Sequence, residues 1–199
     1  MKMNNRTMNN RTIFGMIIIA SLLPSVMLVT SKSQVSFAAS SDPQEFMNMT
    51  EEQRVQAAKN MTQEERQNVM NEFSKQNSTV DENISATMTN NTTPLMGNFV
   101  DSGDGFHKVE GVAKVITLAD GKTFLRLENL KATNGPDLYV YLSPSKDVSD
   151  IVNLGRLKGN IGNQNYEIPT GTDLTKYNTV LIWCKAFSTL FGSAKLSSQ

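Results

Sequence analysis

The sequence predicts an all-β fold, a single β-sandwich or barrel-like domain over residues 97–196, preceded by a signal or anchor segment and short helices. Three observations carry that prediction. Hydrophobic periodicity shifts to two after Gly97, as in Leu138-Tyr139-Val140-Tyr141-Leu142, where the aliphatic residues take one face and the tyrosines the other. Turn signals recur at Asp120-Gly121, Asn134-Gly135-Pro136-Asp137 and Pro169-Thr170-Gly171. Composition breaks near residue 96: every methionine lies at or before Met96, while the tyrosines, Trp183, Cys184 and His107 all follow it.

Taken in order, residues 1–12 carry Lys2, Arg6 and Arg11 and no acid, and precede an apolar run from Ile13 to Thr30. Ser36-Phe37-Ala38 then offers small residues at the positions a signal peptidase reads. Residues 1–38 are expected to be a signal peptide cleaved after Ala38, which Pro24 inside the run favours. The alternative is an uncleaved anchor, because the run is near the shortest that spans a bilayer. Either way the rest of the chain is expected to be extracytoplasmic, secreted or tethered at the cell surface.

Residues 42–76 read as short helices. Asp42-Pro43 is a cap with proline at the first helical position. Thr50-Glu51-Glu52-Gln53 and Thr62-Gln63-Glu64-Glu65 are capping boxes, followed by a narrow apolar stripe of Val69, Met70 and Phe73. Such helices without packing partners are marginal, so a helical spacer is expected in preference to a partner-binding helix. Residues 77–96, rich in Asn, Ser and Thr, read as a flexible linker. Asn48, Asn60, Asn77, Asn83, Asn90 and Asn91 begin N-x-S/T triplets; in an exported protein these are glycan acceptors, or chance products of the composition.

Within the β domain, the last long strand is expected to run from Thr179 to Phe187. Alternation places Val180, Ile182, Cys184 and Ala186 on one apolar face, and Leu181, Trp183, Lys185 and Phe187 on the other. A thiol in that setting packs as a small hydrophobe and is unreactive. Against this, an unpaired cysteine in an exported protein calls for a reason. His107 ends the turn-rich loop Asp101-Ser102-Gly103-Asp104-Gly105-Phe106 and reads as a surface or turn residue, with a ligand or proton-carrier role as the rival.

Composition excludes several classes. Nineteen basic against 19 acidic residues give a net charge of +0, and no concentrated basic run offers a nucleic-acid interface. One cysteine and one histidine cannot build a structural zinc centre, a blue-copper centre or an intramolecular disulfide, so no metal site is expected. No C-x-x-C-H attaches haem and no G-x-S-x-G elbow marks a hydrolase.

The wording of the domain carries a family resemblance. Gly97-Asn98-Phe99, His107 with Gly111 and Ala113, and Leu125-Arg126-Leu127-Glu128-Asn129 resemble the opening of a DM13 domain. The resemblance continues in order through Asn134-Gly135-Pro136-Asp137-Leu138-Tyr139-Val140-Tyr141-Leu142, Leu154-Gly155-Arg156-Leu157-Lys158-Gly159-Asn160 and Gly162-Asn163-Gln164-Asn165-Tyr166-Glu167-Ile168-Pro169. It closes on Val180-Leu181-Ile182-Trp183-Cys184-Lys185-Ala186-Phe187 and Phe191-Gly192-Ser193-Ala194. This resemblance implies an all-β extracytoplasmic module serving electron transfer. The family's characteristic cysteine matches Cys184, and its implied role is a redox thiol or a ligand to a haem-like or quinone cofactor. Trp183 is then its aromatic neighbour, and His107 a second cofactor-binding candidate. A separate redox partner protein is implied, because no second redox domain lies in the chain. The alternative is a non-catalytic surface module binding protein or glycan, with Cys184 as core packing and the Tyr139/Tyr141 face as its contact surface. On both readings a self-contained enzyme is not expected.

Overall fold

The computed structural model describes residues 42–84 and 94–198; the expected export segment, Asn90 and Asn91 lie outside them. Among the described residues three helices come first, α1 (Pro43–Asn48), α2 (Glu51–Asn60) and α3 (Gln63–Ser74). Both capping boxes form, with Thr50 paired to Gln53 and Thr62 to Glu65. Ten strands follow: β1 (Thr79–Asp81), β2 (Leu95–Asp101), β3 (Val109–Thr117), β4 (Thr123–Ala132), β5 (Leu138–Ser143), β6 (Val152–Arg156), β7 (Ile161–Ile168), β8 (Thr179–Cys184), β9 (Thr189–Lys195) and β10 (Ser197–Ser198).

One sheet, not the two of a sandwich, forms in the order β1-β7-β4-β3-β2-β9-β8-β5-β6, with β10 added on β2, and it curls into a half-barrel. Strand β2 makes the bend. Its first half, Met96–Asn98, pairs with β3, while Phe99–Asp101 pairs with β9. Bulges add curvature: at Gly111 the backbone takes φ 120°, and a Cβ there would lie 2.7 Å from the Glu128 carbonyl, so only glycine fits. The Asp120-Gly121 turn closes the β3–β4 hairpin as its residues predict, with Gly121 at φ 86°.

Packing departs from the sequence expectation in the helices. Phe46, Ala57, Val69 and Phe73 are 0–2% exposed and belong to one core with Leu125, Val140, Ile182 and Phe191 of the strands. The helical segment is therefore no free spacer. Its stripe is too thin for a core of its own because the curled sheet supplies the other wall. Each buried Phe or Val contributes roughly 1.5–3 kcal/mol on that wall. The supposed linker is also partly structured: Thr79–Asp81 pairs in parallel with Ile161–Asn163, and Asn160 donates from its side-chain amide to Asn77. Polar composition hides this because an edge strand uses its backbone and needs few apolar side chains. Asn48, Asn60, Asn77 and Asn83 are all exposed.

Candidate functional site

Cys184 is the final residue of β8, pairing across to Leu138 of β5 and Thr189 of β9. The strand ends three residues earlier than alternation predicts. Lys185 donates its N–H to the Asp137 carbonyl, and a turn through Ser188, at φ 50°, returns the chain into β9. Ala186 and Phe187 thus leave the sheet plane, so the expected Phe187 position on the opposite face is corrected. Both fold into the core that contains Cys184. Trp183 keeps its predicted side: it packs with Tyr139, Tyr141 and Leu181 on the far face and is no neighbour of the sulfur.

The sulfur itself is sealed. Cys184 is 0% exposed, and burial pushes its thiol up to about 12, with the nearby Asp137 carboxylate acting the same way. Backbone N–H groups of Phe187, Asp137 and Ala186 point at the sulfur and partly offset this. At neutral pH the group is a thiol, which neither attacks disulfides nor binds metal efficiently.

What covers this end is the helical segment. Arg54 of α2 donates from Nε to Asp137 Oδ1 at 2.9 Å, and Arg156 of β6 reaches the same oxygen at 2.8 Å. The Asp137 side chain is 0% exposed, its Oδ2 has no hydrogen-bond partner among the described residues, and burial raises its pKa against the pull of both arginines. Glu51, in the first turn of α2, binds the Lys185 ammonium and the Tyr139 hydroxyl. The Lys185 and Tyr139 hydrogen bonds hold its carboxyl below the usual glutamate range. Phe46 of α1 meets the Phe187 ring at 5.8 Å between centroids. Local sequence marks Asp137 as a turn residue and Glu51 as part of a helix cap. The sequence shows the opposite charges of Arg54 and Asp137 and of Glu51 and Lys185, but not their approach over more than eighty residues.

His107 lies elsewhere. It is 8% exposed rather than on the surface, packed against Phe191 at 4.0 Å and edge-on to Phe106. Asp104 turns the loop by accepting the N–H groups of Phe106 and His107, and its other oxygen pairs with the His107 Nδ1. Beside His107 opens a cavity of about 410 Å³, whose walls include Phe187 and Thr189. The three candidates therefore occupy three settings, a sealed end for Cys184, an opposite face for Trp183 and a cavity wall for His107. The Tyr139/Tyr141 face expected as a contact surface is covered as well, both residues being 3–4% exposed beneath Val148 and Ile151.

Among the described residues no helix is long and apolar enough to cross a membrane. No curated protein and no solved structure matches the chain. The family model described as "Electron transfer DM13" does match, over residues 99–196, from the middle of β2 to just past the end of β9. That match suggests a redox-related role and identifies residues 99–196 as a DM13 electron-transfer domain.

Proposed function

We propose that this chain is an exported electron-transfer accessory module in which Cys184 is a gated redox thiol, kept inert by the helical cap and used when the cap opens. One observation supports this reading above others: the family's cysteine stands at a strand end, and the lid over it is fastened by charged contacts that can exchange with water. Apolar burial alone fixes a structural thiol, whereas here Arg54, Asp137, Glu51 and Lys185 hold the seam. Opening it would hydrate the sulfur and bring its pKa back toward the ordinary thiol range, which produces the nucleophilic thiolate.

The chemistry is thiol–disulfide exchange with a separate partner protein. The Cys184 thiolate attacks one sulfur of the partner's disulfide, a mixed disulfide forms, and the partner's other sulfur leaves as thiolate. Because this chain has one cysteine, resolution falls to the dithiol of a second, electron-donating protein. One of its thiolates attacks Cys184 and frees the reduced acceptor, and its other thiol then releases Cys184 as the donor closes its own disulfide. A haem-like or quinone group at Cys184 does not fit the closed arrangement, since a 0% exposed sulfur has no open side on which to place one. Export rests on the basic, apolar and small-residue succession of residues 1–38.

The same burial favours the rival reading, a binding module in which Cys184 is core packing. Incubation of the folded chain with oxidised glutathione separates them, with the adduct at Cys184 counted by mass spectrometry. A slow adduct in the parent chain and a faster one in Arg54→Ala, with circular dichroism unchanged, is the expected result. No adduct in either until the chain is unfolded leaves the packing reading standing.

A further inference from the structure

The composition break at residue 96 separates every methionine from the one histidine, yet the fold returns two of them to it. Met61, the cap residue ending α2, and Met70 of α3 line the same cavity of about 410 Å³ as His107. The Asp104 carboxylate accepts from His107 at Nδ1, which leaves Nε2 as the ring nitrogen that offers a lone pair in the neutral imidazole. That Nε2 is buried and has no hydrogen-bond partner among the described residues. A carboxylate fixing one imidazole nitrogen while the other stays free is how proteins orient a metal-binding histidine.

The donor set decides the metal. Thioethers are soft, neutral ligands that favour Cu(I), whereas Zn(II), Mg(II) and Ca(II) require thiolate, imidazole or oxygen sets. Among the described residues no three His, Cys, Asp or Glu side chains converge on a metal-sized site, so the thioethers are indispensable to any such centre. We propose that His107, Met61 and Met70 form a binding site for Cu(I), and equally for its redox-inert analogue Ag(I). The unbranched methionine side chains can swing onto an ion within the cavity, and its open side gives an entry path. Arg66 also lines the cavity and opposes a cation, but its guanidinium lies over the Phe187 ring at 5.9 Å, and the Asp104 carboxylate supplies a compensating negative charge behind the imidazole. This site stands independently of the role given to Cys184.

The test is a competition titration of the full chain against a chromophoric Cu(I) chelator under anaerobic, reducing conditions, repeated with Ag(I) by calorimetry. One equivalent should bind. Asp104→Asn, which keeps the oxygen that turns the loop, should weaken binding by about tenfold. Met61→Leu, Met70→Leu and His107→Gln should each weaken it further, with unfolding midpoints showing that all three variants remain folded. Undiminished binding in the histidine and methionine variants overturns the proposal. So does binding that vanishes in Cys184→Ser while surviving His107→Gln, which would place the metal on the thiol.

Discussion

The seam between helices and sheet has two ends of opposite character. At the α2 end, Arg54 and Glu51 close over Asp137, Lys185 and Tyr139, and the sulfur beneath is dry. At the α3 end, Met61, Met70 and His107 stand around a cavity, and a ring nitrogen is left without a hydrogen bond. One end silences its reactive group by burial and a neighbouring carboxylate. The other leaves its group, also buried, without a hydrogen bond in the wall of a cavity. The same helical segment thus does two jobs, and both differ from the passive spacing that its composition predicts.

The largest effect should come from breaking the closed end. Arg54→Ala removes one of the two cations from the buried Asp137, and breaking a buried pair costs about 3–5 kcal/mol. Urea unfolding of the variant should show a loss near the lower figure, because Arg156 stays in place. Phe46→Ala should follow with about 3 kcal/mol, from lost burial and the cavity it leaves against Phe187. At the open end, Met61→Leu should cost less than about 1.5 kcal/mol, since the volume is conserved. A loss there as large as that of Arg54→Ala would erase the contrast between the two ends.

Acidity offers a subtler probe. Glu51 titrates below the ordinary glutamate range when folded, so its contribution to the cap is complete above the unfolded value and fades as pH falls through the folded one. Labelling of Cys184 by dithiodipyridine, a reagent that reacts with thiols in acid, should therefore accelerate below about pH 4.5 in the parent chain. Glu51→Gln should already label faster at neutral pH and lose that acid step. A parent profile without the step would remove Glu51 from the latch.

Much of the fold was legible because it is local. Caps at Thr50 and Thr62, the Asp120-Gly121 hairpin and the two-sided strand Leu138–Leu142 each follow from neighbouring residues. What escaped is long-range. Nothing near Arg54 in sequence indicates Asp137, and the thin Val69/Phe73 stripe has meaning only against the sheet it completes. Cys184 was placed on the correct apolar face. The early end of β8 is hidden, because the turn through Lys185–Ser188 depends on the Asp137 carbonyl, in the turn before β5, accepting the Lys185 N–H. His107 was read as a surface residue because its loop is polar, although Phe106 and Phe191 bury the ring.

A gated thiol requires the cap to open over Cys184 without the sheet unfolding. It is tested by the rate at which a small thiol reagent labels Cys184 in the native chain, measured against urea below the unfolding transition. Opening of a local unit exposes far less surface than global unfolding, so its urea dependence is correspondingly shallow. A gated thiol gives a shallow slope in the parent chain and, in Arg54→Ala, a faster rate with an equally shallow slope. A slope equal to that of global unfolding in both would show that Cys184 is reached only by losing the fold, and would contradict the gated thiol.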